Sequence, residues 1–259
     1  MNGRILSGKV AIVTGAALGM GAATARLFAE AGARVVVADL NETEGLAVVA
    51  AIEQAGGEAM FQRTNVALGG EVERMVAATV ARFGRLDVAV NNAAVTPDTR
   101  PLAEMDESEF DRVIAVDLKG VALCLKHALA QMIRQGQGGS IINIASVSAF
   151  RPQPNNGAYV AAKHGVIGLT KVAALENGGH GIRVNAVAPG AIDTPMLRNA
   201  LTGLCPTEDE RTAFQSALSL LGRFGDAREV AQASLWLASD LASYVTGTTI
   251  NVDAGYANR

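Results

Sequence analysis

Tyr159 and Lys163 lie four positions apart in a segment, Ala158 to Glu176, whose apolar residues recur at helical spacing. On a helix such positions share a face, so the phenol and the ammonium can point into one crevice. A free tyrosine, with a pKa of about 10, is a poor base at neutral pH. A cation about 4 Å away contributes up to roughly 4 kcal/mol at an effective dielectric constant of 20, before burial opposes it. We therefore expect a phenol that exchanges a proton near neutral pH, with Ser146 donating a hydrogen bond to the reacting oxygen.

A glycine-rich turn after the first predicted strand is a second candidate site. Gly15, Gly19 and Gly21 have the spacing G-x-x-x-G-x-G, with Leu18 and Met20 between them, and a helical pattern follows. Such glycines let the backbone approach a pyrophosphate, which the N–H groups and dipole of the next helix stabilise.

Asp39 ends the second predicted strand, near the ~20-residue distance at which a carboxylate accepts from the adenosine ribose of a dinucleotide. A carboxylate there repels the 2′-phosphate of NADP, and neither Leu40 nor Leu18 brings a positive charge to neutralise it. We therefore expect NAD as the cofactor.

A Tyr-x-x-x-Lys pair is common on protein surfaces. Here the pair follows the fifth strand of a dinucleotide-binding pattern, which favours a catalytic role over a surface position.

These residues must be positioned by a repeating pattern of strands and helices. Short apolar runs rich in β-branched residues alternate with longer segments of helical periodicity, which is typical of a parallel sheet covered on both faces. The sequence predicts one α/β domain over 1–259, a Rossmann-type doubly wound parallel sheet of about seven strands with helices on both faces. We place the strands at Val10–Thr14, Val35–Asp39, Ala59–Asn65, Val88–Asn91, Ser140–Ile144, Arg183–Val187 and Thr248–Val252.

Helix starts have their own signals. Asn41, Asp106 and Thr207 are each followed by a glutamate at the distance that suits a helix N-terminus. A long helix is expected from Asp111 to Gln135. The segment 191–225 does not fit the strand and helix repeat, and because it follows a strand's carboxyl end we expect it to be a substrate lid.

Composition excludes several classes of protein. The chain of 259 residues is 49% hydrophobic with a formal net charge of -3, so it lacks the basic excess of a nucleic-acid-binding protein. No export signal or membrane-spanning run is apparent, so we expect a cytoplasmic protein without membrane contact. Cys124 and Cys205 are expected to be reduced thiols. No metal is expected, because metal-ligand spacing is lacking among the histidines His127, His164 and His180.

In combination, these motifs resemble those of the compact short-chain dehydrogenases/reductases, over essentially the whole chain. The resemblance is carried by Thr14–Gly21, Asn91-Asn92-Ala93-Ala94, Ser146, Tyr159 with Lys163, and Pro189-Gly190 with Ile192 and Thr194. It implies that the serine orients the substrate, the tyrosine exchanges its proton, and the lysine acidifies the tyrosine and binds the nicotinamide ribose. It further implies that Ile192 and Thr194 meet the nicotinamide amide and that Asn65, Val66 and Asn92 lie along the adenosine. The resemblance also leads us to expect a homotetramer, which composition does not distinguish from a dimer.

Three positions depart from the pattern of that family. Asn65 stands where an aspartate is usual, and its amide can still bind adenine edges. Ala94 replaces a glycine, which adds a methyl group where the backbone approaches the cofactor. Asp117 stands where many members carry a catalytic asparagine. The resemblance implies that this asparagine acts through its backbone carbonyl, so we expect Asp117 to keep the proton relay and to favour a charged Lys163.

The expected substrate is a hydrophobic secondary alcohol or its ketone, with a cyclic compound as one candidate, because the candidate lining residues are apolar. Those residues are Met196, Leu197, Ala200, Leu201, Leu204, Phe214, Val147, Ala149 and Phe150. Arg151 and Arg198 leave open an anionic substrate. Two other functions also stay open: an NADP-linked 3-oxoacyl carrier-protein reductase, disfavoured by Asp39, and a non-catalytic nucleotide-binding scaffold, disfavoured by the intact Ser146, Tyr159 and Lys163.

Overall fold

A computed structural model describes residues 4–95, 99–204 and 207–258, apart from the side chains at positions 200, 202–204, 211 and 216. Seven strands form one sheet in which every pairing is parallel, in the order β3-β2-β1-β4-β5-β6-β7. The predicted Rossmann-type sheet is therefore confirmed. The strands are β1 Val10–Thr14, β2 Arg34–Asp39, β3 Glu58–Arg63, β4 Val88–Asn91, β5 Gly139–Ile144, β6 Ile182–Pro189 and β7 Thr249–Val252.

Five strands begin one residue away from the predicted start, and two strands end at a different residue from the predicted one. β3 ends at Arg63 rather than Asn65, because the Asn65 side chain instead accepts the N–H of Ala67 at 3.0 Å and turns the chain toward the next helix. β6 extends to Pro189, whose missing N–H does not interrupt its pairing with β7.

Helices cover both faces of the sheet, as expected from its apolar strands. One buried cluster joins the sheet to α1, α2 and α9, and a second joins the opposite face to α3, α5 and α6. The described helices are α1 Gly19–Glu30, α2 Glu42–Gln54, α3 Gly69–Phe83, α4 Glu107–Val113, α5 Gly120–Gln135, α6 Gly157–Asn177, α7 Pro195–Leu204, α8 Glu208–Leu218 and α9 Ala227–Ala238. In the described ranges, none of them combines the length and apolarity needed to cross a bilayer.

The N-terminal signals are confirmed at all three predicted positions. Asn41 accepts the N–H of Glu44, Asp106 accepts two N–H groups of the first turn of α4, and Thr207 forms a reciprocal capping box with Glu210. In the region 191–225 the chain forms two helices, α7 and α8.

The helix predicted over Asp111–Gln135 is wrong in one respect. Helical structure begins earlier, at Glu107, and α4 and α5 are joined by a π-helical turn, Ile114–Lys119. A π-turn inserts one residue into the helix and is frequently found at functional sites. Its effect here is to turn Asp117 inward, where none of its surface is exposed.

The order of the strands creates a crevice. The chain builds β1, β2 and β3 toward one edge and then returns to place β4 on the other side of β1. At such a switch point the connections leave the carboxyl ends of neighbouring strands in opposite directions and open a ligand-binding crevice. The glycine-rich turn after β1 and the segment after β4 therefore face each other.

Candidate active site

A cleft of about 400 Å³ lies at the carboxyl ends of the central strands. It brings together residues that are far apart in the chain, from the turn after β1 to the start of α7. The predicted site residues that line it are Gly15, Leu18, Gly19, Met20, Asp39, Leu40, Asn65, Val66, Asn92, Ala93, Ala94, Tyr159, Lys163 and Thr194.

The turn after β1 is fastened to the segment after β4. The side-chain amide of Asn92 donates to the carbonyl oxygens of Thr14 and Gly15, at 2.9 and 3.1 Å. Gly15 has a φ of +64°, and a Cβ at this position would lie 2.7 Å from the Cα of Ala93. The turn therefore needs a glycine here, and the Asn92 amide acts inside the protein although the resemblance places it along the adenosine.

The start of α1 is open toward a ligand. Leu18 occupies the N-cap position and gives no side-chain hydrogen bond to the first turn, unlike the caps of α2, α4 and α8. The first N–H groups of a helix have no partner within it and attract a phosphate through their partial positive charge. These residues thus fit the pyrophosphate of a dinucleotide.

Asp39 is held in place by the backbone. Its two carboxylate oxygens accept the N–H groups of Ala17 and Asn41, each at 2.9 Å. A carboxylate has further lone pairs, so it can still accept from ribose hydroxyls. Arg63 is the register partner of Asp39 on β3 but is not among the described residues that line the cleft.

Lys163 is a buried cation in the first half of α6, with 2% of its surface exposed. Its Nζ donates to the carbonyl oxygen of Ile144 at 3.2 Å and lies 3.4 Å from Oδ2 of Asp117. The same Nζ is 5.2 Å from the centre of the Tyr159 ring. The structure therefore brings the predicted phenol, ammonium and carboxylate into one cluster.

Asp117 is fixed on its other side by the segment after β4. Its Oδ1 accepts the N–H of Val95 at 2.9 Å. Burial raises the pKa of Asp117, and the Lys163 ammonium and the Val95 N–H oppose that rise only in part. Asp117 is not among the described residues that line the cleft, and its contact with Lys163 links it to one that does.

Ser146 follows β5 directly and is 7% exposed. Its Oγ accepts the N–H of Ser148 at 3.1 Å, which orients the side chain and leaves its own O–H to donate. Ile144 and Ala145, the two residues before it, line the cleft. Ser146 is therefore close to the crevice, at the end of the strand that also supplies the carbonyl partner of Lys163.

A small apolar cluster sets the position of α6 against the π-turn. Val113, Ala158 and Ala162 are buried together, and Tyr159, Ile114 and Leu118 pack around them. The small side chains on α6 allow the two segments to approach closely, which brings Asp117 within reach of Lys163.

Four predicted cofactor residues, Gly21, Pro189, Gly190 and Ile192, are not among the described residues that line the cleft. Gly21 packs against the turn itself, because a Cβ there would lie 2.1 Å from the carbonyl oxygen of Gly15. Pro189 ends β6, Gly190 lies against Asp253, and Ile192 is buried beside Gly225. Cys205 lies outside the described residues, as do the side chains of Ala200 and Leu204.

Other lining residues were not predicted as cofactor-binding. Ala17 and Thr64 adjoin predicted residues, so a wider window around each motif would have included them. Val116 gave no such signal, because it reaches the cleft through the π-turn. The full set is Ala17, Asn41, Thr64, Val95, Val116, Ile144, Ala145, Pro195, Met196 and Asn199.

The two arginines that left an anionic substrate open both have partners within the chain. Arg198 pairs with Asp193 through two contacts of 2.6 and 2.8 Å. Arg151 donates to the carbonyl oxygen of Tyr256 at 3.1 Å. Among the described residues, no group of three or more histidines, cysteines and carboxylates is placed to hold a metal ion.

Comparison with known proteins identifies the family. A family model described as enoyl-(acyl carrier protein) reductase matches residues 15–257. The short chain dehydrogenase/reductase astE of Aspergillus oryzae is 53% identical over 251 residues, which cover 96% of this chain and 95% of that protein. The chain belongs to the short-chain dehydrogenase/reductase family. It is therefore an oxidoreductase with a fold for NAD or NADP, as the sequence resemblance implied.

Two further members of the short-chain dehydrogenase/reductase family extend the comparison. The 2,5-dichloro-2,5-cyclohexadiene-1,4-diol dehydrogenase of Sphingobium indicum is 45% identical over 251 residues, covering 97% of this chain and 98% of that enzyme. The crystal structure of levodione reductase matches with a TM-score of 0.92 and 39% identity, covering 98% of this chain and 99% of the other.

Proposed function

We propose that this protein is an NAD-dependent dehydrogenase that oxidises a hydrophobic, cyclic secondary alcohol to its ketone and catalyses the reverse reduction. The observation that carries the proposal is the buried Lys163 ammonium, held by Asp117 and the Ile144 carbonyl beside the ring of Tyr159. A buried charge is costly to maintain without a function for it.

The proposed roles of the side chains follow from their placement. Ser146 donates its O–H to the substrate oxygen, and Tyr159 takes the hydroxyl proton as the alcohol is oxidised. Lys163 stabilises the negative charge on the phenol oxygen, while Asp117 and the Ile144 carbonyl fix the ammonium. When bound, the nicotinamide ring supplies the acceptor for the hydride that leaves the alcohol carbon.

The preference for NAD rests on the oriented carboxylate of Asp39. The N–H groups of Ala17 and Asn41 hold it at the end of β2, where a 2′-phosphate would meet a negative charge. We expect NAD to bind at least tenfold more tightly than NADP in the parent enzyme. Asp39→Ser should reduce this preference, and Arg63→Ala, a change on the neighbouring strand, should leave it unchanged. Equal affinities for both cofactors in the parent enzyme would refute the assignment.

A cyclic substrate is supported by the name of the cyclohexadiene-diol dehydrogenase among the relatives. We propose the segment 191–225 as the substrate lid. The contribution of Pro195, Met196 and Asn199 to the cleft supports this role.

The deciding experiment follows NADH absorbance with a panel of cyclic, aromatic and open-chain secondary alcohols. We expect turnover of neutral cyclic alcohols in the parent enzyme and a loss of at least 10³-fold in kcat for Tyr159→Phe with unchanged NADH affinity. Turnover of the Phe variant at the parental rate would refute the mechanism, and turnover of charged substrates alone would refute the apolar substrate class.

The alternative is an NADP-linked 3-oxoacyl carrier-protein reductase, which is supported by 43% identity over 250 residues to a 3-oxoacyl-[acyl-carrier-protein] reductase of Thermotoga maritima. It predicts NADPH-dependent reduction of a 3-oxoacyl thioester, and the same absorbance assay separates the two functions. A nucleotide-binding scaffold would bind NADH and turn over none of these substrates.

We also propose a homotetramer in the cytoplasm. Two separate apolar surfaces support the assembly: Val172 and Leu175 on α6, exposed by 51% and 85%, and Trp236 and Tyr244 near the end of α9, exposed by 37% and 103%. Light scattering should give four times the chain mass, and Leu175→Glu should give a smaller species. A parent monomer would refute the tetramer. The free thiol of Cys124 is consistent with the cytoplasm, which cell fractionation tests.

A further inference from the structure

The C-terminal turn, residues 253–258, has a strained backbone that hydrogen bonds hold in place. Ala254 has a φ of 49°, a left-handed conformation that an alanine rarely adopts. The Asp253 carboxylate holds the turn by accepting the N–H of Gly255 at 3.0 Å and that of Ala257 at 2.8 Å. Strain of this kind persists only where the surroundings impose it, and it is common beside ligand sites.

This turn contacts two segments, the proposed lid and the loop that leads from Ser146 to Tyr159. The carbonyl of Ala254 accepts the N–H of Leu220 at 2.9 Å, just after α8 of the proposed lid. The turn also contacts Arg151, in the loop between β5 and α6. Gly190, the first residue after β6, donates its N–H to Val252 immediately before the turn, at 2.9 Å.

Arg151, in this loop, contacts Tyr256 of the C-terminal turn in two ways. Its Nη1 donates to the carbonyl oxygen of Tyr256 at 3.1 Å, and its guanidinium carbon lies 4.6 Å from the centre of the Tyr256 ring. The Tyr256 side chain is 8% exposed, so the guanidinium stacks on a ring that is itself fixed in the protein. A planar guanidinium combines a hydrogen bond with stacking in a way that a lysine ammonium does not.

We propose that Arg151 is a positioning residue for the substrate, not a clamp for an anion. The loop that carries it connects Ser146 to Tyr159, and the C-terminal turn connects that loop to the base of the lid. Arg151 therefore fixes the two walls of the substrate cleft relative to each other and sets the KM for the alcohol. This inference rests on the proposed function and adds a determinant of substrate affinity outside the catalytic residues.

The test compares four variants with the parent enzyme. Arg151→Ala should raise the KM for a neutral cyclic alcohol about tenfold, leave kcat within about threefold and leave the Kd for NADH unchanged. Arg151→Lys can still donate a hydrogen bond to the carbonyl oxygen of Tyr256, so its KM increase should be smaller than that of Arg151→Ala. Tyr256→Phe keeps the ring and the backbone carbonyl and should match the parent. Arg82→Ala is the control: it removes a guanidinium that lies 5.0 Å from the Phe83 ring and pairs with Glu58 at 3.1 Å, at the amino end of the sheet.

Hydrogen exchange gives a readout that does not depend on the substrate. In Arg151→Ala, the amides of 147–156 and 219–222 should exchange faster, while those of α3 keep the parental rate. If the parent enzyme oxidises no cyclic alcohol, the proposed function fails, and the exchange result still decides whether Arg151 joins the two walls.

Three results would overturn the proposal. Unchanged KM and exchange in Arg151→Ala would show that the contact has no positioning role. A KM increase confined to cyclic alcohols that carry a carboxylate would make Arg151 an anion clamp. An equal loss of NADH affinity would place the effect in the cofactor site or in the fold as a whole.

Discussion

Replacement of Asp117 by asparagine separates the charge of this side chain from its shape. At 3.4 Å and an effective dielectric constant of 20, the carboxylate and the Lys163 ammonium attract each other by about 5 kcal/mol. The raised pKa of Asp117 means that its desolvation outweighs this attraction. The two carboxylate oxygens of Asp117 face different partners, the Val95 N–H and the Lys163 ammonium. An asparagine amide has only one oxygen, so the variant loses its contact with one of the two.

We expect Asp117→Asn to lower kcat by no more than about tenfold, or ~1.4 kcal/mol. The ammonium is charged in both the ground state and the transition state, so only the change in its interaction as charge develops on the phenol affects the rate. Because burial raises the pKa of Asp117 above its ordinary value of 3.8, we expect its protonation to give the parent pH–kcat profile an acidic limb, and we expect this limb to be absent in the variant. Steady-state kinetics from pH 5 to 9 measure both effects.

Protein stability gives a second readout with a defined sign. A carboxyl whose pKa is raised on folding stabilises the native state below its unfolded pKa, and this contribution is lost as pH rises through the folded pKa. The free energy of unfolding of the parent relative to Asp117→Asn should therefore fall as the pH rises above the ordinary pKa of 3.8. Asp87→Asn is the control, because Asp87 is 4% exposed and pairs with Arg85 far from the cleft. A loss of kcat greater than about tenfold, or an unchanged acidic limb in Asp117→Asn, would refute this reasoning.

Three other substitutions or treatments test the structure. Burial raises the pKa of the Cys124 thiol to about 12, so iodoacetamide at pH 8 should leave Cys124 unmodified in the folded protein, as peptide mass spectrometry would show; rapid modification would mean that the thiol is accessible. Gly15→Ala should cost about 1–2 kcal/mol of stability and weaken NADH binding at least tenfold, because the added methyl meets the backbone of Ala93; parental affinity in a fluorescence titration would contradict the close approach. Ala254→Gly should stabilise the protein by up to about 1 kcal/mol in urea denaturation by relieving the left-handed strain, and a lower stability would show that the alanine methyl packs usefully.

The fold could be predicted because its signals are local. Strand runs and helix caps depend on residues close in sequence, and all seven strands and the three capped helix starts lie where the patterns place them. The π-turn could not be predicted in this way, because one extra residue in a helix hardly changes the apolar spacing of α4 and α5. Its stability comes from tertiary contacts with Ala158 and Ala162 on α6.

The candidate site was partly predictable for the same reason. The residue types at and around Gly15, Asp39, Tyr159 and Lys163 indicate what chemistry these positions can perform. The structure groups these residues around one cleft. The hydrogen-bond partners that lie far away in the sequence could not be predicted from residue types. The Ile144 carbonyl on Lys163 and the Tyr256 carbonyl on Arg151 are backbone groups, which every residue has, so only the folded chain reveals them.

The π-helical turn at Ile114–Lys119 also limits which changes in length this chain tolerates. Each residue of a helix turns the chain by about 100°. Deleting one residue here would convert the turn to a regular α-helix and rotate α4 relative to α5, so a different side chain would face the lysine. Related sequences should therefore vary in length in the surface connections while keeping this segment free of gaps.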